Sequence, residues 1–336
     1  MTTTLVVRLD SDGDVLLAGP AVRALAVAGP LDLLVSPAGA AAAHLLPDVR
    51  AVHVFDAPWS GYVPPPTDRA AVEALLATVG AARYDRAVVL TSWHQSPLPA
   101  ALLLRLAGVP VVAATSDDYP GSLLDVRHRR RPGRHEVDAS LDLVEACGVP
   151  RPADDRLAVR SPLPDASALV PDEPYVVVHP GASVPARALA SGHAAAVVEA
   201  LADRGAVVVT GSPGERPLTA AVAGGRATDL GGRTDLPLLA AVLAGADTVV
   251  VGNTGPAHLA AAVGAPVVSL FAPVVPAERW RPWGVPHVLL GDQRAACAGT
   301  SARRCPVAGH PCLSDVAPGA VVAAVDALRE ARVVSA

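Results

Sequence analysis

Lysine is absent: all 27 basic residues are arginine, which removes Schiff-base chemistry and the Walker-type phosphate loop, since both need a lysine amine. Aromatic residues make up only 3% of a chain that is 51% hydrophobic. Its cores must therefore be built from Ala, Val and Leu at short backbone distances, as where helices lie on parallel strands. There is no positive excess. A net charge of -5 and a pI near 6.0 indicate no general affinity for nucleic acid or anionic membranes. No apolar run reaches the ~18 residues of a membrane span. The apolar opening TLVVRLD, residues 4–10, is broken at once by charge, so no signal peptide is expected and the cytoplasm is the expected compartment. No G-x-G-x-x-G follows a candidate strand, which excludes a nicotinamide dehydrogenase. Of the four cysteines, Cys297, Cys305 and Cys312 fall within sixteen residues, too local for a secreted disulfide scaffold.

What the chain has is alternation. Its 336 residues suit two domains. Strand candidates at 4–9, 31–35, 51–55, 86–90 and 109–113 alternate with helical stretches at 15–28, 69–82 and 97–107. After a Pro-rich stretch over 150–173, read as a linker, strands at 175–179, 206–210, 227–230, 247–251 and 266–270 alternate with helices at 189–203, 215–223, 236–244 and 256–263. The expectation is two doubly wound parallel sheets, over 1–160 and 161–336, facing across a cleft at the carboxyl ends of their strands. One local concentration of charge stands apart. Residues 127–135 (RHRRRPGRH) hold five Arg and two His, and Arg127–Arg134 reads either as a solvated loop or as a contact for an anionic acceptor or the inner membrane face.

Four segments at strand ends carry the chemistry. In RLDSDGDVLLAGPAVRAL, residues 8–25, a strand runs into a loop and a helix. Asp14 there is either a helix cap or a group aimed into the cleft, and Gly13 permits close approach of a ligand. In VVVHPGASVPARALASGH, residues 176–193, the small residues Gly181, Ala182 and Ser183 let backbone N–H groups reach phosphate oxygens. Arg187 adds a forked cation; the alternative is a tight turn with a surface Arg. In VVVTGSPGERPL, residues 207–218, Gly211 ends a strand, and Glu215 either accepts from ribose hydroxyls or complements a helix dipole. In DTVVVGNTGPAHLAAAVGAPVVSLFAP, residues 247–273, Asn253, Thr254 and Gly255 turn into a helix opened by Pro256. The free N–H groups and dipole of that helix start suit a diphosphate, and His258 in its first turn is either a donor to phosphate or a partly buried capping residue.

Together, and in this order, the segments resemble glycosyltransferase family nine, the ADP-heptose:lipopolysaccharide heptosyltransferases, over nearly the whole chain. The resemblance implies a GT-B fold of two Rossmann-like domains, with the acceptor bound by the N-terminal one and the nucleotide sugar by the C-terminal one. Its opening motif, R-x-S-x-x-G-D-V-L, places the family's base on Asp14 and puts Asp10 where a Ser is usual. HPGAS with its downstream cation falls on His179 to Ser183 and Arg187, and the family's Glu falls on Glu215. The motif D-T-G-x-x-H-L-A falls on Asn253, Thr254, Gly255 and His258, with Asn253 replacing an Asp. A looser likeness at 84–108 places Trp93 and His94 in the acceptor domain. The function implied is inverting transfer of a sugar, a heptose by resemblance, from ADP-heptose or a similar donor to a glycan, glycolipid or small-molecule acceptor, with no metal or other cofactor. A nucleotide-sugar 2-epimerase and a non-catalytic nucleotide-sugar binder are the alternatives. For CAGTSARRCPVAGHPCL, residues 297–313, packed thiols, a disulfide and a Cys3His zinc set with His310 all stay open.

Overall fold

Uninterrupted runs of Val, Leu and Ala make stable strands only where both sheet faces are covered. In the computed structural model, which describes residues 1–61 and 63–335, they are. The chain divides into two compact units, Met1–Arg160 and Ser161–Ala336. The first runs β1 (Thr4–Arg8), α1 (Asp12–Leu17), α2 (Gly19–Ala26), β2 (Leu31–Val35), α3 (Ala40–Leu45), β3 (Ala51–Val54), α4 (Arg69–Ala82), β4 (Arg86–Val89), α5 (Leu98–Leu106), β5 (Val111–Thr115), β6 (Val126–His128) and α6 (Glu136–Ala146). The second runs β7 (Tyr175–His179), α7 (Ser191–Ala202), β8 (Ala206–Val209), α8 (Arg216–Ala223), β9 (Thr228–Asp229), α9 (Leu236–Ala244) and β10 (Thr248–Gly252). It continues with α10 (Gly255–Ala262), β11 (Val267–Leu270), α11 (Ala277–Trp280), β12 (His287–Leu290), α12 (Pro311–Ser314) and α13 (Pro318–Ser335).

Among the described residues each unit holds one six-stranded sheet, ordered β3-β2-β1-β4-β5-β6 in the first and β12-β11-β10-β7-β8-β9 in the second. Every pairing is parallel. Numbered from the start of its own unit, each sheet reads 3-2-1-4-5-6. Winding therefore reverses between β1 and β4 and again between β7 and β10, and ligands of such sheets collect outside the carboxyl ends at the reversal. The expected class, doubly wound parallel α/β in both halves, is the architecture observed. The first core gathers Leu5, Val7, Leu34, Val89 and Val112; the second gathers Val176, Val178, Val209, Val250, Val268 and Leu270, with α13 packed on α7 and the sheet. Burying each such side chain contributes about 1.5–3 kcal/mol before the entropy of ordering it is subtracted.

Several elements differ from the sequence expectation for local reasons. The single helix expected over 15–28 is two, α1 and α2, because Pro20 has no N–H to continue the ladder. β5 begins at Val111 rather than 109, since the Val109 N–H is taken by the Leu104 carbonyl at the end of α5. The first part of the expected linker lies on the first unit. Arg23 Nη2 donates to the carbonyls of Asp154 and Arg156, Arg160 Nε to that of Leu46, and Arg151 forks onto Asp138 and Asp142 of α6. No helix among the described residues is long and apolar enough to cross a membrane.

Candidate active site

β1 ends in a charge. Arg8 closes an otherwise apolar strand and is 1% exposed, and a buried guanidinium must find carboxylates. It finds two: Nε lies 2.9 Å from Asp10 Oδ2, and Nη2 lies 3.2 Å from Asp14 Oδ1. Nη2 also donates to Ser92 Oγ at 2.9 Å, from the loop after β4 across the sheet reversal. Burial works against the Arg8 charge, but Asp10, Asp14 and Glu136 outweigh it and raise its pKa. The N-cap of α1 is Ser11, not Asp14. Asp14 takes the third helical position, its Oδ2 accepting from the Ser11 hydroxyl at 2.9 Å, and its side chain keeps 23% exposure. A carboxylate held on both oxygens yet open to solvent is suited to accepting a proton. Gly13 beside it is buried within α1.

Behind this pair the network continues. Asp10 Oδ1 accepts from Gln95 Nε2, whose Oε1 in turn accepts from the Ser92 N–H. Burial raises the Asp10 pKa, with Arg8 and Gln95 opposing. Arg130 joins neighbouring loops, donating to Glu136 at 3.0 Å and to the Thr91 carbonyl at 2.6 Å. His94 lies in the fields of Asp10, Asp14, Arg8 and Arg130, and burial lowers its pKa despite the two carboxylates. Trp93 meets it edge-on, centroids 5.9 Å apart, and remains 40% exposed. Sequence reasoning named Asp14, Trp93 and His94 as site residues, put Ser92 in the same loop and Arg130 in the basic segment, and gave no site role to Arg8, Gln95 or Glu136. Arg8 carried a legible signal, a charge terminating a buried strand; the others are brought in by loops distant along the chain.

In the second unit the loops after β7, β8 and β10 nest together. His179 ends β7 and is buried, with Nδ1 3.0 Å from Thr210 Oγ1; burial lowers its pKa. An added Cβ at Gly181 would collide with Glu215 Oε1, so a larger residue there would have to displace the Glu215 side chain from its turn. Glu215 Oε2 accepts from the Ser212 N–H and hydroxyl, both at 2.7 Å, forming a capping box beside the buried Gly211. A Cβ on Gly252 would lie 2.6 Å from the Arg187 carbonyl, so the loops after β7 and β10 are in backbone contact. Ala182 is half-buried and Ser183 exposed. Arg187 Nε is buried with no hydrogen-bond partner among the described residues. Thr254 occupies the N-cap of α10, Gly255 opens it, and His258 is buried in its first turn.

Two of the expected donor ligands have structural partners. Glu215 locks its own turn, and Asn253, the only asparagine in the chain, bridges to Ala272. Its Nδ2 donates to the Ala272 carbonyl at 3.1 Å and its Oδ1 accepts the Ala272 N–H at 3.0 Å. In the basic segment Arg127 binds the carbonyls of Ser116 and Asp117, Arg130 binds Glu136 and Arg134 binds Asp142, which leaves Arg129 and Arg131 as its exposed arginines. The four cysteines are free thiols. Burial, with Cys297 and Cys305 close by, pushes the Cys312 thiol up to about 11. Among the described residues no group of three or more His, Cys, Asp or Glu is placed to hold a metal.

The chain is similar to known proteins. The family model described as glycosyltransferase family 9 (heptosyltransferase) matches residues 72–308. No curated protein matches the chain. Among solved structures, ADP-heptose LPS heptosyltransferase II of E. coli superposes with a TM-score of 0.76 at 20% identity, covering 98% of this chain and 99% of that one. A family 9 glycosyl transferase from Veillonella parvula DSM 2008 gives 0.78 at 18%, covering 98% and 97%. The E. coli heptosyltransferase WaaC, solved with ADP-2-deoxy-2-fluoro heptose, gives 0.72 at 21%, covering 97% and 99%. These likenesses share the two-sheet GT-B fold. With the family model matched over more than two-thirds of its length, the chain belongs to glycosyltransferase family 9, the heptosyltransferase family, and is a glycosyltransferase.

Proposed function

We propose that this glycosyltransferase transfers a sugar, with ADP-heptose as donor, to an acceptor hydroxyl with inversion at the anomeric carbon, and that Asp14 is the base. The observation that carries the reading is the state of Asp14: oriented by Ser11 and Arg8, partly exposed, at the winding reversal of the first sheet. Taking the proton as the acceptor oxygen attacks would make that oxygen a competent nucleophile. The donor class is supported by the family description and by the solved WaaC complex with an ADP-heptose analogue.

The first unit is assigned the acceptor, which would meet Trp93 and His94. The second is assigned the donor. A guanidinium with a buried, unpartnered Nε, as on Arg187, suits a diphosphate oxygen. The α10 N-terminus with Thr254, Gly255 and His258, and the backbone of Gly181, Ala182 and Ser183, add donors where charge develops on the leaving group. In this reading those groups do without a metal ion, while Gly13, Gly211, Glu215 and Asn253 shape the loops rather than touch ligand. The acceptor class stays that of a glycan, glycolipid or small molecule. Arg129 and Arg131 are the side chains by which the basic segment would meet an anionic acceptor or membrane headgroup.

The test is a thermal-shift series with ADP, UDP and GDP, followed by nucleoside diphosphate release from ADP-heptose with candidate acceptors. ADP should raise Tm by several degrees at saturating concentration. Asp14→Asn should keep that shift and lose about 10²–10⁴ in turnover. A fold stabilised by no nucleotide, or an Asp14→Asn variant turning over at the parental rate, defeats the reading.

A further inference from the structure

One guanidinium serves two carboxylates at the end of β1. Arg8 is fully buried, with Nε 2.9 Å from Asp10 and Nη2 3.2 Å from Asp14. Asp10 is itself closed off, its side chain 9% exposed, while that of Asp14 is 23% exposed. One hydrogen bond and one ion pair bear on the state of Asp10. The Ser92 N–H donates to Gln95 Oε1, which turns the Gln95 amide so that its N–H₂ faces Asp10 Oδ1, and Arg8 Nε lies 2.9 Å from Oδ2 without a hydrogen bond to it. Asp10 thus has the Gln95 donor on Oδ1 and the Arg8 guanidinium charge beside Oδ2, an oxygen that accepts no hydrogen bond among the described residues; the cation and the Gln95 donor favour the carboxylate against the cost of burial. Asp14 is the member of the pair with solvent access and with a hydroxyl, Ser11, that can turn to receive a proton.

We propose that Asp10 is a positioning residue that acts through Arg8: as a second anion on the same guanidinium, it leaves Asp14 with only part of the Arg8 charge and so makes it a stronger proton acceptor. This rests on the reading of Asp14 as the base. Two like charges sharing one counter-ion hold protons more tightly than either would alone with it. The other charged or titratable groups facing the pair are His94 from the loop after β4, Arg130 from the loop after β6 and Glu136 from the start of α6. Arg130 and Glu136 are bonded to each other, and none of the three lies between Arg8 and Asp14.

The experiment uses the full chain labelled with ¹³C at the aspartate carboxyl carbons, the Asp14 signal being the one missing from Asp14→Asn. In Asp10→Asn and in the shorter Asp10→Ser, the Asp14 titration midpoint should fall by about one pH unit, and the acid limb of kcat/KM should move with it. An unmoved midpoint in a folded variant overturns the proposal, because a structural role alone would lower turnover at every pH without displacing a limb. Should the midpoint fall while the acid limb stays, Asp10 tunes Asp14 as proposed and the base reading fails instead. A variant whose Tm falls below the titration temperature is replaced by the other.

Discussion

Replacing Asn253 by Asp keeps the side chain's shape and one of its two bonds to Ala272. The Ala272 N–H would still find an oxygen, but the Ala272 carbonyl, now paired with Nδ2, would face a carboxylate. Asn253→Asp should therefore cost about 1–3 kcal/mol, read as a lower urea midpoint with an unchanged slope. Nucleotide affinity should fall less than stability, because both polar atoms of the amide are engaged by Ala272 in the loop after β11. A variant as stable as the parent would mean that the Ala272 bridge contributes nothing. Sequence pattern found this residue at the right strand end, yet which neighbour it bonds is invisible in the chain, since Ala272 lies nineteen residues away on another loop.

At the scale of elements, the ends of helices and the segment after α6 are the instructive parts. Asp142 on α6 is 4% exposed and accepts from Arg134 at 2.6 Å and Arg151 at 2.8 Å. Burial alone would raise its pKa, but Arg134 and then Arg131 and Arg151 bring it below the usual carboxylate value. Since the folded value is depressed, the pairing stabilises the fold above the unfolded value of about 3.9. That stability is lost as pH falls through the lower folded value. Asp142→Asn should thus be about 1–3 kcal/mol less stable than the parent at pH 7, and the gap should narrow as both are titrated toward pH 3. An equal gap at both pH values would show that the residue's charge is irrelevant. The pattern 69–82 was legible as a helix to the residue; α6 was passed over although Val137, Leu141 and Val144 recur at helical spacing, and β6, three residues long, is too short to show a period.

At the scale of the whole molecule, the assignment of donor binding to the second unit makes a regional prediction. With saturating ADP, amide hydrogen exchange should slow over 180–187 and 252–258, and least over 8–14, whose assigned ligand is the acceptor. Protection confined to the first unit would reverse the assignment. Class and winding were legible because they depend on composition and period: an Ala, Val and Leu chain with strands and helices in strict alternation has few ways to cover its sheets. Strand-end loops were legible as places, since Gly and Pro punctuate the ends of apolar runs. The sequence by itself determined two doubly wound parallel sheets and the position of Asp14 at the start of the helix that follows the first strand. Only the tertiary structure decided that Arg8 joins Asp14 to Asp10 and Ser92, that Gly181 makes room for Glu215, and that Asn253 holds Ala272. Periodicity reports which face of an element is buried, but a hydrogen bond between residues 84 apart exists only once the sheet has placed the two loops side by side.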